Sequence, residues 1–203
     1  MIKTYIFDFG DVFINLDKPA TARELQKLGK LTFSQEMITK NNQYEKGLLS
    51  TDEFLDYYQL QFPKATRENL MDAWNKILLD FPAYRLDFIE NFSKNNRCFL
   101  LSNINDLHLT YIQKQLGEAF YNRFIACFEK VYYTHEIHLR KPDKSIFEFV
   151  FEDSNLNPKE CFFVDDTAEN TKTAIGFGVI CWTINPLLED VVNLESVIHK
   201  KQI

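Results

Sequence analysis

Two acidic positions in this 203-residue chain stand directly after short apolar runs. Asp8 follows Tyr5-Ile6-Phe7, and Asp165-Asp166 follow Cys161-Phe162-Phe163-Val164. Runs of that length and composition read as buried β-strands, so the carboxylates fall at strand ends. In an open α/β sheet, ligands bind outside the carboxyl ends of the strands. Carboxylates gathered there repel one another unless a cation compensates them. Hard oxygen donors of this kind suit Mg²⁺, with phosphate oxygens as further ligands. Taken singly, Asp8 and Asp166 also fit ordinary turn or cap residues, whose side chains hold backbone N–H groups. Two more strand ends carry polar groups: Leu100-Leu101 leads into Ser102-Asn103, and Lys141 lies in Leu139-Arg140-Lys141-Pro142-Asp143. Pro142 restricts that loop before the next helix. A hydroxyl and an ammonium facing a carboxylate–cation pair make a cradle for a phosphoryl group. Ser102 alone is ordinarily a cap, and Lys141 alone a solvated charge; their order and placement carry the information.

The elements that must position these groups follow from hydrophobic periodicity. Strand-length apolar runs occur at 5–7, 98–101, 130–133, 161–164 and 179–183, and helical spacing at 82–95, 106–116, 144–153 and 167–177. Nearly continuous apolarity in the strands suits a parallel sheet covered on both faces. Strand and helix in alternation predict a doubly wound, Rossmann-like α/β fold. Residues 17–81 break the pattern, with no strand and helical candidates at 20–28, 34–46, 51–61 and 66–79. Thr51 and Thr66 are the predicted N-caps of the last two, and Pro63 and Pro82 mark boundaries. The expected organisation is therefore an α/β core over 1–14 and 82–203, interrupted by a helical cap at 15–81.

Composition narrows the function classes. Hydrophobic residues are 45% and charged residues 26%, which excludes disordered and fibrous chains. With 23 basic against 29 acidic residues the net charge is −6, so nothing overall attracts nucleic acid or anionic lipid. No apolar run approaches the roughly 20 residues of a membrane span. The start MIKTYIFDFGDV reads as a buried strand, not a signal peptide. Cys98, Cys127, Cys161 and Cys181 have no CxxC spacing, which argues against a zinc site or disulfide framework and predicts a reducing cytoplasm.

Four ordered motifs, FDFGDV, LLSN, RKPD and FFVDDTAEN, resemble those of the haloacid dehalogenase-like hydrolase superfamily. The insertion resembles its small helical cap, and Tyr44-Glu45-Lys46-Gly47-Leu48-Leu49-Ser50-Thr51-Asp52-Glu53-Phe54 resembles a stretch of many such caps. The similarity is greatest to glucose-1-phosphate phosphatase-like members and the phosphatase domain of soluble epoxide hydrolase. The resemblance implies a Mg²⁺-dependent phosphatase acting on a small phosphorylated metabolite, such as a sugar phosphate. Asp8 would be the nucleophile that forms an aspartyl-phosphate. Mg²⁺ would be held by the Asp8 side chain, the Gly10 carbonyl and Asp166, with Asp165 binding directly or through water. Ser102, the Asn103 amide and Lys141 would hold the phosphoryl oxygens, and Thr167 and Asn170 would order the loop.

The chain also departs from the family pattern. The second acid of the usual Asp-x-Asp motif, which serves as general acid and base, is Gly10 here. Such a group contributes about 10²–10⁴-fold, so its absence should favour esters with weakly basic leaving groups, such as anomeric, aryl or acyl phosphates. Asp11 is one residue further on, and in extended chain it points to the opposite face unless a turn re-aims it. His138 stands where glycine is common, and His135 and His138 read as polar loop residues. His108, at the start of the helix after Ser102, fits either a residue approaching the substrate or, as the plainer reading, a helix-surface residue. Tyr44, Tyr57, Tyr58 and Trp74 fit either a substrate pocket or helix packing. The competing function from another class is a non-catalytic phosphate-binding regulatory protein, which would bind phosphate and Mg²⁺ without turnover. A haloacid dehalogenase has no need of the Asp165-Asp166 pair, and a phosphomutase normally keeps the acid missing at Gly10.

Overall fold

In the computed structural model, which describes residues 2–29 and 32–200, strands β1 (Thr4–Phe7), β2 (Arg97–Ser102), β3 (Lys130–Tyr133), β4 (Cys161–Asp165) and β5 (Ile180–Thr183) form one parallel sheet. The strand order is β3-β2-β1-β4-β5. Phe7 pairs in register with Leu100 on one side and Val164 on the other. The next residues on β1 and β4, Asp8 and Asp165, therefore leave the sheet side by side. Strand alternation divides the apolar residues between two faces. Tyr5, Phe7, Leu100, Phe162 and Val164 share one core cluster, and Ile6, Phe99, Leu101 and Phe163 share another.

Both faces are covered by helices, as the apolar strands require. Helix α5 (Ala83–Phe92) contributes Leu86 and Ile89 to the first face, joined by Ile112 and Phe124 from two later helices, α6 (Asp106–Leu116) and α7 (Glu118–Ile125). A short helix, α8 (Thr134–Ile137), follows β3. On the second face, α9 (Lys144–Asp153) supplies Ile146, Phe147 and Val150, and α10 (Ala168–Ile175) supplies Ala174. Helix α11 (Leu194–Lys200) closes the described chain. The sequence pattern gave no separate expectation for α7, α8 or α11. All four cysteines are buried. No described helix is long and apolar enough to cross a membrane.

Between β1 and α5 lie α1 (Ala20–Leu28), α2 (Gln35–Glu45), α3 (Thr51–Gln61) and α4 (Arg67–Asn75). They enclose their own core of Leu25, Met37, Phe54, Tyr58 and Leu70, to which α6 adds Leu107. Tyr44 stacks on Phe54 at 4.0 Å within it. The N-cap of α3 is Ser50, not the expected Thr51, because Ser50 and Glu53 satisfy each other in a capping box. Thr66 caps α4 as expected, through a reciprocal box with Asn69. Helix α4 stops at Asn75, short of the expected 79. The chain beyond it pairs with the segment leaving β1: Leu79 N–H donates to Asn15 O at 3.0 Å and Asp17 N–H to Ile77 O at 2.8 Å. The two linkers of the insertion are thus tied to each other.

Candidate active site

Parallel register brings Asp8 and Asp165 together, and the loop after β3 and α8 delivers Lys141 between them. The Lys141 ammonium, fully buried, lies 2.9 Å from Asp8 Oδ1 and 2.7 Å from Asp165 Oδ2, and it also donates to Leu101 O at 2.8 Å. Burial works against this ammonium, but the carboxylates of Asp165 and Asp8 outweigh it and hold its pKa above the ordinary lysine value. Asp8 responds in the opposite sense. Burial pushes its carboxyl up to about 8, opposed by Lys141 and reinforced by Asp165. Asp165 is saturated by protein donors, since Thr167 N–H at 2.8 Å and Asn170 Nδ2 at 3.0 Å join Lys141 on it. Thr167 and Asn170 hold the loop after β4, as the resemblance implied.

Ser102 ends β2 at 3% exposure, beside this cluster in sequence order. The Asn103 side chain grips Lys141 from both sides of its backbone, donating to Lys141 O at 2.9 Å and accepting from Lys141 N–H at 3.0 Å. Its carboxamide therefore sets the lysine in place.

The turn after Asp8 explains Gly10 and Asp11. Asp11 adopts the left-handed region at φ +55°, its N–H donates to Ile14 O at 2.7 Å, and its Oδ1 accepts from Leu16 N–H at 3.0 Å. Its other oxygen lies 3.1 Å from the Lys18 ammonium. Both oxygens are thus spent on holding the turn and Lys18. The turn brings Leu16 over Gly10, where an added Cβ would meet Leu16 Cδ1 at 2.8 Å. The space that a side chain at position 10 would enter is taken by leucine. Lys18 bridges onward to Asp166. Burial raises the Asp166 pKa, and Lys18 opposes that rise.

Carboxylate oxygens of Asp8, Asp165 and Asp166 all lie within 4.8 Å of one another, an all-oxygen donor set at strand ends that fits a hard divalent cation. A cavity of about 130 Å³ opens beside them, between the sheet and the insertion. Its polar lining is Glu45, Ser102, Asn103, Asn105 and His108. Glu45 pairs with Arg140, its Oε2 accepting from Nε at 3.0 Å and lying 2.8 Å from Nη2. Burial raises the Glu45 pKa, and Arg140 opposes it. His108 is not a surface residue: it lines the cavity and its Nε2–H donates to Trp74 O at 3.0 Å, joining α6 to the insertion. Burial lowers its pKa to about 4. Tyr44 and Tyr58 are buried in the insertion core, with Tyr57 and Trp74 packed against it, and none of the four lines this cavity.

His135 and His138 bond backbone carbonyls, of Ile104 and Lys46 respectively, each at 2.8 Å. His138 has φ +59°, the left-handed conformation that accounts for glycine being common at such a position. Lys18 and Glu45 had no sequence signal for their role, whereas the place of His108 after Ser102 allowed an approach to the site. Glu45 lies in the stretch that resembles a family cap, but nothing in its spacing marks it as facing the cavity.

Residues 2–178 match the family of haloacid dehalogenase-like hydrolases. The chain belongs to that family. Over 177 residues this haloacid dehalogenase-like hydrolase is 29% identical to a D-ribitol-5-phosphate phosphatase of Bacteroides thetaiotaomicron, covering 84% of this chain and 85% of that protein. A solved enzyme of the family from the same organism, in complex with magnesium, is 33% identical, with a TM-score of 0.86 over 96% of this chain and 98% of that one. Its complex with magnesium and inorganic phosphate gives 33% identity and a TM-score of 0.81, over 96% and 99% of the two chains.

Proposed function

We propose that this hydrolase removes the phosphoryl group from a small phosphorylated sugar or polyol, with Asp8 as its nucleophile. The enzyme is a Mg²⁺-dependent phosphatase of the haloacid dehalogenase-like family, and its substrate is a small phosphorylated molecule. The observation that carries the residue assignment is the buried Lys141 ammonium shared between Asp8 and Asp165. Its charge favours the ionised form of Asp8 against the effect of burial and offsets that carboxylate's repulsion from an anionic ester. The similarity to a phosphatase of D-ribitol 5-phosphate supports the substrate class.

The Asp8 carboxylate attacks phosphorus in line, the bond to the leaving oxygen breaks, that oxygen takes its proton from water, and an aspartyl-phosphate forms. Water then attacks the phosphoryl group, releasing inorganic phosphate and restoring Asp8. The Ser102 hydroxyl and the Asn103 backbone N–H hold the phosphoryl oxygens during transfer, and Lys141, whose three donors otherwise meet Asp8, Asp165 and Leu101 O, turns one to them as Asp8 is esterified. Asp8, Asp166 and the Gly10 carbonyl would hold Mg²⁺, and Asp165, saturated by donors from its own chain, would act through water. When bound, the ion neutralises phosphate charge in the cluster of carboxylates. Asp11 holds the turn and donates no proton. The insertion, residues 15–81, serves as the cap that confines the leaving group. The buried thiols fit a reducing cytoplasm.

The test is phosphate release from a panel of phosphorylated sugars and polyols, with and without Mg²⁺, by the wild type and Asp8→Asn. Turnover that needs both the ion and Asp8 supports the assignment. Tight phosphate binding without turnover on any ester would replace it with the regulatory alternative.

A further inference from the structure

The last turn of α2 and the residues after it are pinned to the core at several points. Tyr44 Oη accepts from Leu107 N–H at 3.0 Å and bonds Thr51 Oγ1 at 2.8 Å. Gly47 sits at φ +63° so close to residue 135 that an added Cβ would lie 2.0 Å from its carbonyl oxygen. Lys46 O accepts from His138 Nδ1–H, and Lys46 Nζ lies 2.9 Å from Asp143. Glu45 is held in the middle of this segment with its carboxylate lining the cavity. Arg140 occupies Oε2, while Oε1 accepts no hydrogen bond from any described residue. Arg140 directly precedes Lys141, whose ammonium pairs with Asp8. The opposing walls are apolar, with Phe9, Ile14, Leu16 and Ile104.

We propose that Glu45 is a substrate-binding residue, its free oxygen accepting hydrogen bonds from hydroxyls of the leaving group, with Arg140 as the residue that positions it. This rests on the phosphatase assignment above and deepens it. An ester with phosphorus at Asp8 and its oxygens at Ser102 directs its alcohol portion into the cavity that Glu45 lines. A fixed carboxylate with one free acceptor selects donors, and hydroxyls are the donors a neutral carbon chain offers. The same charge repels a second anion, so phosphorylated acids are rejected as well as polyols chosen. The predicted substrate class is therefore a neutral, polyhydroxylated monophosphate. A purely structural Glu45–Arg140 tie would affect all esters alike.

The experiment compares kcat/KM of the full chain with Mg²⁺ on D-ribitol 5-phosphate, phosphoglycolate and p-nitrophenyl phosphate, in wild type and Glu45→Gln. The expected result is a loss of about 10- to 100-fold on the polyol ester. Phosphoglycolate turnover should rise, because Arg140 then meets the substrate without its partner, and p-nitrophenyl phosphate should change less than about two-fold. Equal changes on all three esters, or none, overturn the proposal. So does a wild type that cleaves p-nitrophenyl phosphate but neither the polyol ester nor any sugar phosphate, and that outcome leaves the phosphatase assignment standing. Failure of the assignment itself shows differently, as p-nitrophenyl phosphate turnover that is absent or survives Asp8→Asn. If Glu45→Gln fails to fold, Glu45→Asp, which withdraws the charge by one methylene, must give the same selective loss on the polyol ester.

Discussion

The two sides of the candidate site are built on different physics. On the sheet side, Asp8, Lys141 and Asp165 are at most 8% exposed, and the lysine has its three partners within 2.9 Å. Strand register and the Asn103 grip on the Lys141 backbone leave these groups no alternative arrangement. On the insertion side, Lys18 and Glu45 are held by ion pairs whose side chains keep 55% and 31% of their surface exposed. Exposed pairs contribute little to stability, typically below about 1 kcal/mol. The difference matches the proposed roles: the buried side, assigned the chemistry, cannot be altered cheaply, whereas the half-exposed side, assigned the selectivity, can change without unfolding the protein.

The comparison breaks first at Lys141. Lys141→Met leaves Asp8 and Asp165 buried without their cation, which should cost about 3–5 kcal/mol in denaturant unfolding. Phosphate release should fall by at least about 10²-fold in the same variant. A Lys141→Met protein as stable and as active as wild type would erase the distinction between the sides.

The second prediction concerns the proton missing at Gly10. Phosphate release from aryl esters should outrun that from alkyl esters by a wide margin in wild type. Gly10→Asp combined with Leu16→Ala, which clears the space Leu16 occupies, should narrow that ratio by roughly 10-fold or more. An unchanged ratio, with chemistry limiting, would mean that protonation is supplied elsewhere.

The third sharpens the contact between the sides at His108. Its pKa is about 4 in the fold against an ordinary 6.5 in the unfolded chain. As pH falls below 6.5 the unfolded state takes up a proton that the folded state refuses until near 4, so this stability is complete above 6.5 and lost on the way down. The loss is worth on the order of 3 kcal/mol. Denaturant unfolding of wild type and His108→Gln across that window should show the difference in slope. Parallel curves would contradict the buried neutral imidazole.

The smallest effect is expected at Lys18. Its ammonium lies beside Asp166, a group assigned to the cation, so Lys18→Met should tighten Mg²⁺ binding by about 2- to 5-fold. Titration calorimetry with Mg²⁺ alone reads this directly, and weaker binding would show that Lys18 supports the ion instead of opposing it.

What the sequence revealed follows the same division. Asp8, Ser102 and the Asp165-Asp166 pair were legible because they stand at the ends of apolar strands, which parallel register brings together, and Lys141 because Pro142 and the following helix mark its loop. The sheet and its order of elements were legible from the same apolar strands. Glu45 was not, since its partner Arg140 is 95 residues away and approaches from a different unit. Lys18 was hidden likewise, 148 residues from Asp166. The overextended helix after Thr66 had a local cause: Ile77, Leu78 and Leu79 continue a helical spacing but are drawn into pairing with the segment that leaves β1. At Gly10 the sequence disclosed a missing acid, but the leucine filling its place depends on the left-handed turn at Asp11.

The central claim is that phosphoryl transfer passes through Asp8. Its most direct test is the stereochemical course at phosphorus, measured on an aryl ester whose phosphoryl group is chiral by isotopic substitution. Two successive in-line displacements, first by Asp8 and then by water, predict retention of configuration. Inversion would mean a single attack by water and would contradict the account.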